Sequence, residues 1–167
     1  SDTVLTIFNS NFHGNNADFG GVILLDTLEG RYIRASITNS SLENNTALDG
    51  GALINEARNG GNITLTLENS RIANNAARRA GGAIYNNPVG RNGIITITAN
   101  NTDFLLNTQG GAAAGQRGGV LGAEVQCFDN AAVTYETTSS RTTDESCGQA
   151  SHVTAEEAQH ILQSPVL

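Results

Sequence analysis

Residues 69–87 read NSRIANNAARRAGGAIYNN, and the spacing of two marks inside this stretch decides the fold. The first mark is the glycine pair Gly81-Gly82. Pairs recur at Gly20-Gly21, Gly50-Gly51 and Gly110-Gly111, at intervals of 30, 31 and 29 residues. The second is a large apolar residue followed three places later by asparagine. It occurs as Phe12/Asn15, Leu42/Asn45, Ile72/Asn75 and Phe104/Asn107, with asparagine intervals of 30, 30 and 32. Two independent marks that keep one period are the signature of a repeat architecture.

The residues before each asparagine-rich stretch alternate: TVLTIFN, IRASITN, ITLTLEN and IITITAN. A period of two with β-branched residues specifies a strand with one buried face. Each glycine pair opens a second short apolar run, GGVILL, GGALIN, GGAIYN or GGAAAG. Equivalent strands that recur at one coil length run the same way and stack in parallel. The reading is an all-β chain: a right-handed parallel β-helix of four to five coils of about 30 residues. In such a solenoid each coil contacts only its neighbours. The glycine pairs then sit at corners, where φ > 0 is needed and neighbouring coils crowd together. Asn15, Asn45, Asn75 and Asn107 stack into a structural ladder at another corner.

Composition agrees. The 167 residues suffice for a real core. Aromatics make up 5% of the chain and Trp and Met are absent, so the core is aliphatic and flat. The formal charge is −7, every basic side chain is an arginine, and no basic patch is visible. Nucleic-acid binding is therefore not expected. No apolar run approaches a membrane span, so this segment is not expected to insert in a bilayer.

The repeat fades near residue 119, which divides the chain into β-helix repeats over 1–126 and a cap or adaptor over 127–167. GGVLGAEVQC (118–127) reads as a last partial coil. Cys127 and Cys147 flank a polar segment and suggest one disulfide, a bridge suited to an exported protein. Thr154 and Glu157 form a capping-box pattern ahead of a short amphipathic helix. That helix is expected to lie over the last open coil, because a bare end exposes unpaired strand edges. The first coil has no visible cap.

Catalysis finds little support. Asn101-Thr102-Asp103 resembles a tripeptide of polygalacturonases, but no Asp-Asp pair, Gly-His-Gly or Arg-x-Lys accompanies it. Asp103 reads as an outward turn residue. Asp18 and Asp49 precede glycine pairs in adjacent coils, and Ala80 breaks that column. No catalytic residue, metal site or cofactor is expected. A binding face is the better reading. Arg31, Arg58, Arg91 and Arg117 each follow a glycine-initiated strand, on one edge of the solenoid. Arginine suits carboxylate or sulfate groups of glycans or partner proteins. An outward column of Thr6, Ser36, Thr66 and Thr98 also suggests an ice-binding array, although its flanking columns are mixed.

The motifs GGAI, intact at 81–84, and FxxN, intact at 12–15 and 104–107, resemble the repeats of the chlamydial polymorphic outer-membrane proteins. The resemblance covers residues 3–113. It implies a secreted or surface-displayed passenger, often an adhesin, that meets a protein or glycan on a host or neighbouring cell. It carries over no catalytic residue, and this chain lacks the family's outer-membrane barrel. Head-to-tail self-association into a filament or surface assembly is the alternative, and a polysaccharide lyase or hydrolase the second.

Overall fold

The computed structural model describes residues 2–90, 92–110, 120–121, 133–143 and 151–166. The first coil contains β1 (Thr3–Phe8), β2 (Asn11–His13) and β3 (Ile23–Leu28). The second contains β4 (Tyr32–Thr38), β5 (Ser41–Glu43), β6 (Thr46–Asp49) and β7 (Leu53–Arg58). The third repeats this as β8 (Asn62–Glu68), β9 (Arg71–Ala73), β10 (Ala76–Ala80) and β11 (Ile84–Val89). The fourth has β12 (Ile94–Asn100), β13 (Asp103–Leu105) and β14 (Thr108–Gln109). Beyond it come β15 (Val120–Leu121), β16 (Val133–Thr138), β17 (Arg141–Thr142), β18 (Ser151–His152) and α1 (Ala155–Ile161).

Equivalent strands stack into four sheets. The first runs β1-β4-β8-β12-β16, the second β2-β5-β9-β13-β17-β18, the third β6-β10-β14-β15 and the fourth β3-β7-β11. Isolated bridges Asn16↔Thr46 and Phe19↔Asp49 carry the third sheet into the first coil. The pairs are parallel except β14 with β15. The chain is therefore a parallel β-solenoid of about four turns, as its period dictates. The strand period of two places Ile33, Ala35 and Ile37 of β4 over Ile63, Leu65 and Leu67 of β8, all buried. Phe12, Leu42, Ile72 and Phe104 fill the same column of the second sheet. Full burial of each such side chain is worth about 1.5–3 kcal/mol.

The corners follow from backbone chemistry. Asn9, Asn39, Asn69 and Asn101 all adopt φ between 46° and 50° where the first sheet turns into the second. Asparagine tolerates this left-handed region better than other side chains. The hydroxyl next in sequence completes the turn: Ser40 Oγ accepts from Ser10 N at 3.1 Å, and Ser70 Oγ from Ser40 N at 3.2 Å. In the pairs Gly20-Gly21, Gly50-Gly51 and Gly81-Gly82 the two residues serve different ends. Gly50 has φ 62°, whereas Gly51 leaves room for the next coil, because a Cβ there would strike the Gly82 carbonyl oxygen.

Three expectations change at the C-terminal end. The solenoid runs past residue 126: β16 pairs with β12 from Ile95↔Val133 to Asn100↔Thr138, and β17 pairs with β13. A fifth rung thus lies within the segment read as a cap. The partial coil at 118–127 instead contributes β15, antiparallel to β14, and its remaining residues lie outside the described ones. The helix does not roof the last coil. Ala158 packs against Ala73 and Leu105, with Val153, Ile161 and Leu162 around them, on the outer flank of the second sheet. The reason is local polarity. The outward column reads His13, Glu43, Ala73, Leu105, so only its later rungs offer an apolar seat.

The capping box forms as read: Thr154 Oγ1 accepts from Glu157 N at 3.2 Å, and Glu157 Oε2 accepts from Thr154 N at 2.8 Å. Thr154→Ala is expected to destabilise α1 by about 1 kcal/mol. Hydrogen exchange at residues 155–161 should speed up, with little change in the solenoid strands. Cys127, Cys147 and Gly111 lie outside the described residues. Among the described residues, no helix is long and apolar enough to cross a membrane.

Candidate functional site

The second sheet presents a second outward column, Asn11, Ser41, Arg71, Asp103 and Arg141, in continuous register. Its last three residues stand beside the C-terminal segment. Arg141 grips Asp103 with two parallel bonds, Nε to Oδ1 at 2.7 Å and Nη2 to Oδ2 at 2.6 Å. That fork geometry is the strong form of an arginine–carboxylate pair. The hydrogen bond to Asp103 raises the pKa of Arg141 above the ordinary arginine value, against the lowering effect of burial. Asp103 is thus a buried, neutralised carboxylate rather than an exposed turn residue.

Arg71 is different. Its side chain is only 8% exposed. Nη1 donates to the Ser164 carbonyl at 2.8 Å and Nη2 to the Ile161 carbonyl at 3.3 Å, so it clasps the chain where α1 ends. Cations are favoured there by the orphan carbonyls of the last turn. The carboxylate paired with it, Glu43, stands 4.0 Å away, and Arg71 Nε has no hydrogen-bond partner.

These groups line a cleft of about 280 Å³. One wall is Arg71, Asp103 and Arg141, with Asn69 and Asn101 at the rim. The other is Ile161, Pro165 and Val166. Arg141 is hydrogen-bonded to its carboxylate, whereas Arg71 has its carboxylate, Glu43, only at 4.0 Å. A wider groove of about 740 Å³ adjoins it on the far side of Arg141, beside His152 and His160. No group of three or more His, Cys, Asp or Glu side chains suited to a metal occurs among the described residues.

Of the arginines expected on one edge, Arg31 and Arg58 both lie between the fourth and first sheets but not in one column. Arg58 is in register with Leu28 and Val89. Arg31 lies three residues beyond that column, in the turn before β4. Arg58 is also occupied, by Asp26 at 3.0 Å and by Glu56 at 2.5 Å. The hydrogen bond to Glu56 is the main reason its pKa is raised. Arg91 and Arg117 lie outside the described residues. Asp18 and Asp49 do not align either, because Asp49 pairs with Phe19 and Ala80. Arg79, on the irregular stretch of β10, holds the Asp49 carboxylate through both Nε and Nη2. The hydroxyl column Thr6, Ser36, Thr66, Thr98 is in register, but Glu136 continues it.

The asparagine ladder has the expected form. Asn45 Oδ1 accepts from both N and Nδ2 of Asn15, each at 2.9 Å. Asn75 Oδ1 accepts in the same way from Asn45, and Asn107 Oδ1 from Asn75. The spare amide proton donates back one coil, as from Asn75 Nδ2 to the Leu42 carbonyl at 2.9 Å. These residues hold the coils in register.

The cleft was not legible in the repeat, because Arg141 belongs to the rung that the fading period hides. The change of one column from Asn11 and Ser41 to Arg71 and Asp103 was its available signal. Comparison with protein-family models, with curated proteins and with solved structures finds no match to this chain. The resemblance to surface-protein repeats therefore rests on the GGAI and FxxN residues alone.

Proposed function

We propose that this chain is a non-enzymatic β-solenoid module of an extracellular or cell-surface protein, a rigid scaffold and adhesin passenger. The flank of its second sheet is the recognition surface. The carrying observation is the state of Asp103. The one carboxylate among the described residues that line the cleft is held bidentately by Arg141, which suits a fixed binding wall. Hydrolysis of a glycosidic bond wants two carboxyl groups free to exchange protons across the bond. The GGAI and FxxN resemblance supports surface display, and a stiff solenoid suits presentation of a site away from its anchor.

The test is a binding screen of the immobilised protein against surface glycans and cell-surface proteins, with a polysaccharide-degradation assay beside it. Saturable binding without product is expected. Release of reducing ends or unsaturated sugars would overturn the reading.

One observation favours the alternative of end-to-end assembly. Leu5, Ile7 and Phe12 are partly exposed in the first rung, whereas their counterparts Ala35, Ile37 and Leu42 are buried. Asn15 Oδ1 also receives no ladder bond. Against it, the far end is stepped: β18 adds a strand to the second sheet beyond the rung at which the first sheet ends. A second copy stacked there would meet two sheets one rung out of step. Sizing at two concentrations separates these readings.

A further inference from the structure

We infer that the cleft between Arg71, Asp103, Arg141 and residues 161–166 binds a single carboxylated sugar residue, with the sugar carboxylate taken by Arg71. This deepens the recognition role proposed above and rests on it.

The argument begins with charge. Arg71 is a buried cation whose two firm hydrogen bonds go to neutral carbonyls. Its paired carboxylate stands 4.0 Å away, and its Nε–H is left without an acceptor. A buried charge that lacks a hydrogen-bonded counter-ion is costly. Asp103, the carboxylate in the same column, is saturated by Arg141. The polar wall therefore holds one cation with no hydrogen bond to a carboxylate, and a carboxylate that enters the cleft supplies that bond.

The remaining wall chemistry selects a sugar. Asn101 Nδ2 donates to Asn69 Oδ1 at 2.8 Å, which leaves the Asn69 amide protons and the Asn101 carbonyl oxygen at the rim to meet hydroxyl groups. Ile161, Pro165 and Val166 oppose them with an apolar wall on which the C–H face of a pyranose can rest. The volume, about 280 Å³, lies at the small end for ligand clefts and suits one ring. The net charge of −7 repels a polyanion, so the ligand is an isolated acidic residue, such as a glycan terminus, rather than a polyuronate run.

The probe is glucuronic acid, titrated into the isotope-labelled protein and followed by NMR. Glucuronamide, its uncharged counterpart, provides the comparison. Saturable shifts at Asn69, Asn101 and the side chain of Arg71 are expected, with about tenfold weaker binding of glucuronamide, the scale of a charge-assisted hydrogen bond. Arg71→Lys should abolish the preference for the acid. Because that change also loosens α1, Asn101→Gly serves as the second variant: glycine keeps the positive φ, and removal of the rim amide should weaken both sugars alike. Equal affinity for the two sugars, shifts elsewhere on the solenoid, or tighter binding of an acidic peptide overturns the inference. If these tests fail while the protein still binds a glycan or cell-surface protein in the screen, the cleft assignment falls and the adhesin reading stands. Failure of both removes the two together.

Discussion

Asn75→Ala should lower the unfolding free energy by on the order of 4 kcal/mol, the largest effect of any single side-chain truncation in the ladder. Asn75 is fully buried and bonds in both directions along the stack. Its loss leaves Asn45 N and one Asn45 Nδ2 proton without their acceptor, and the Leu42 carbonyl without a donor. Each buried polar group stranded in this way costs about 1–3 kcal/mol. A domain of this size is held by about 5–15 kcal/mol in total, so the loss is a large share. Asn15→Ala provides the contrast. Asn15 is exposed at the end of the ladder and accepts nothing, so truncation removes one side-chain bond and should cost about 1 kcal/mol. Urea melts of the two variants measure the difference, and equal midpoints would show that the ladder is not a load shared between rungs.

Gly51→Ala should be nearly as damaging, at about 3 kcal/mol. The added methyl group would strike the Gly82 carbonyl and approach Ala76 N at 2.9 Å, and these are backbone atoms of the next coil. The coils cannot part to admit it, because the asparagine ladder ties Asn45 to Asn75 beside the corner. Overpacking of this kind costs about 1–3 kcal/mol where neighbours can shift, and here they cannot. Gly110→Ala separates space from backbone conformation. Gly110 has φ 80°, yet a Cβ there would meet none of the described residues within 4 Å. Its replacement should cost only the left-handed penalty, about 1–2 kcal/mol. A Gly51→Ala melt no lower than that of Gly110→Ala would remove the crowding argument.

The architecture was readable because a solenoid writes its long-range contacts as a local period. Thr6, Ser36, Thr66 and Thr98 are paired neighbours in space, and they recur in the sequence at intervals of 30, 30 and 32 residues. What was hidden lies where spacing is broken. An irregularity in β10 around Arg78 and Arg79 lengthens one coil and sets the Arg79–Asp49 pair, which no column count can place. The fifth rung was missed because its left-handed corner falls on Ser139 rather than on an asparagine, 38 residues after Asn101 instead of about 30. With that rung went Arg141, and with Arg141 the wall of the cleft. The seat of α1 depends on two modest residues, Ala73 and Leu105. Their outward direction becomes informative only when their column is read against His13 and Glu43. Arg31 and Arg58 illustrate the reverse error: both lie between the fourth and first sheets, yet Arg58 ends its strand in register with Leu28 while Arg31 stands three residues later, at the end of a turn of the same length.

The most direct measurement is a set of NOE contacts on the labelled protein. The stack predicts cross-peaks from the Asn75 side-chain amide to Leu42 and to Asn107, residues 33 and 32 places away, and the same pattern from Asn45 to Phe12 and Asn75. Contacts of Asn75 confined to its sequence neighbours, or close cross-strand Hα–Hα pairs throughout the first sheet as antiparallel strands give, would contradict a chain that climbs one coil per repeat.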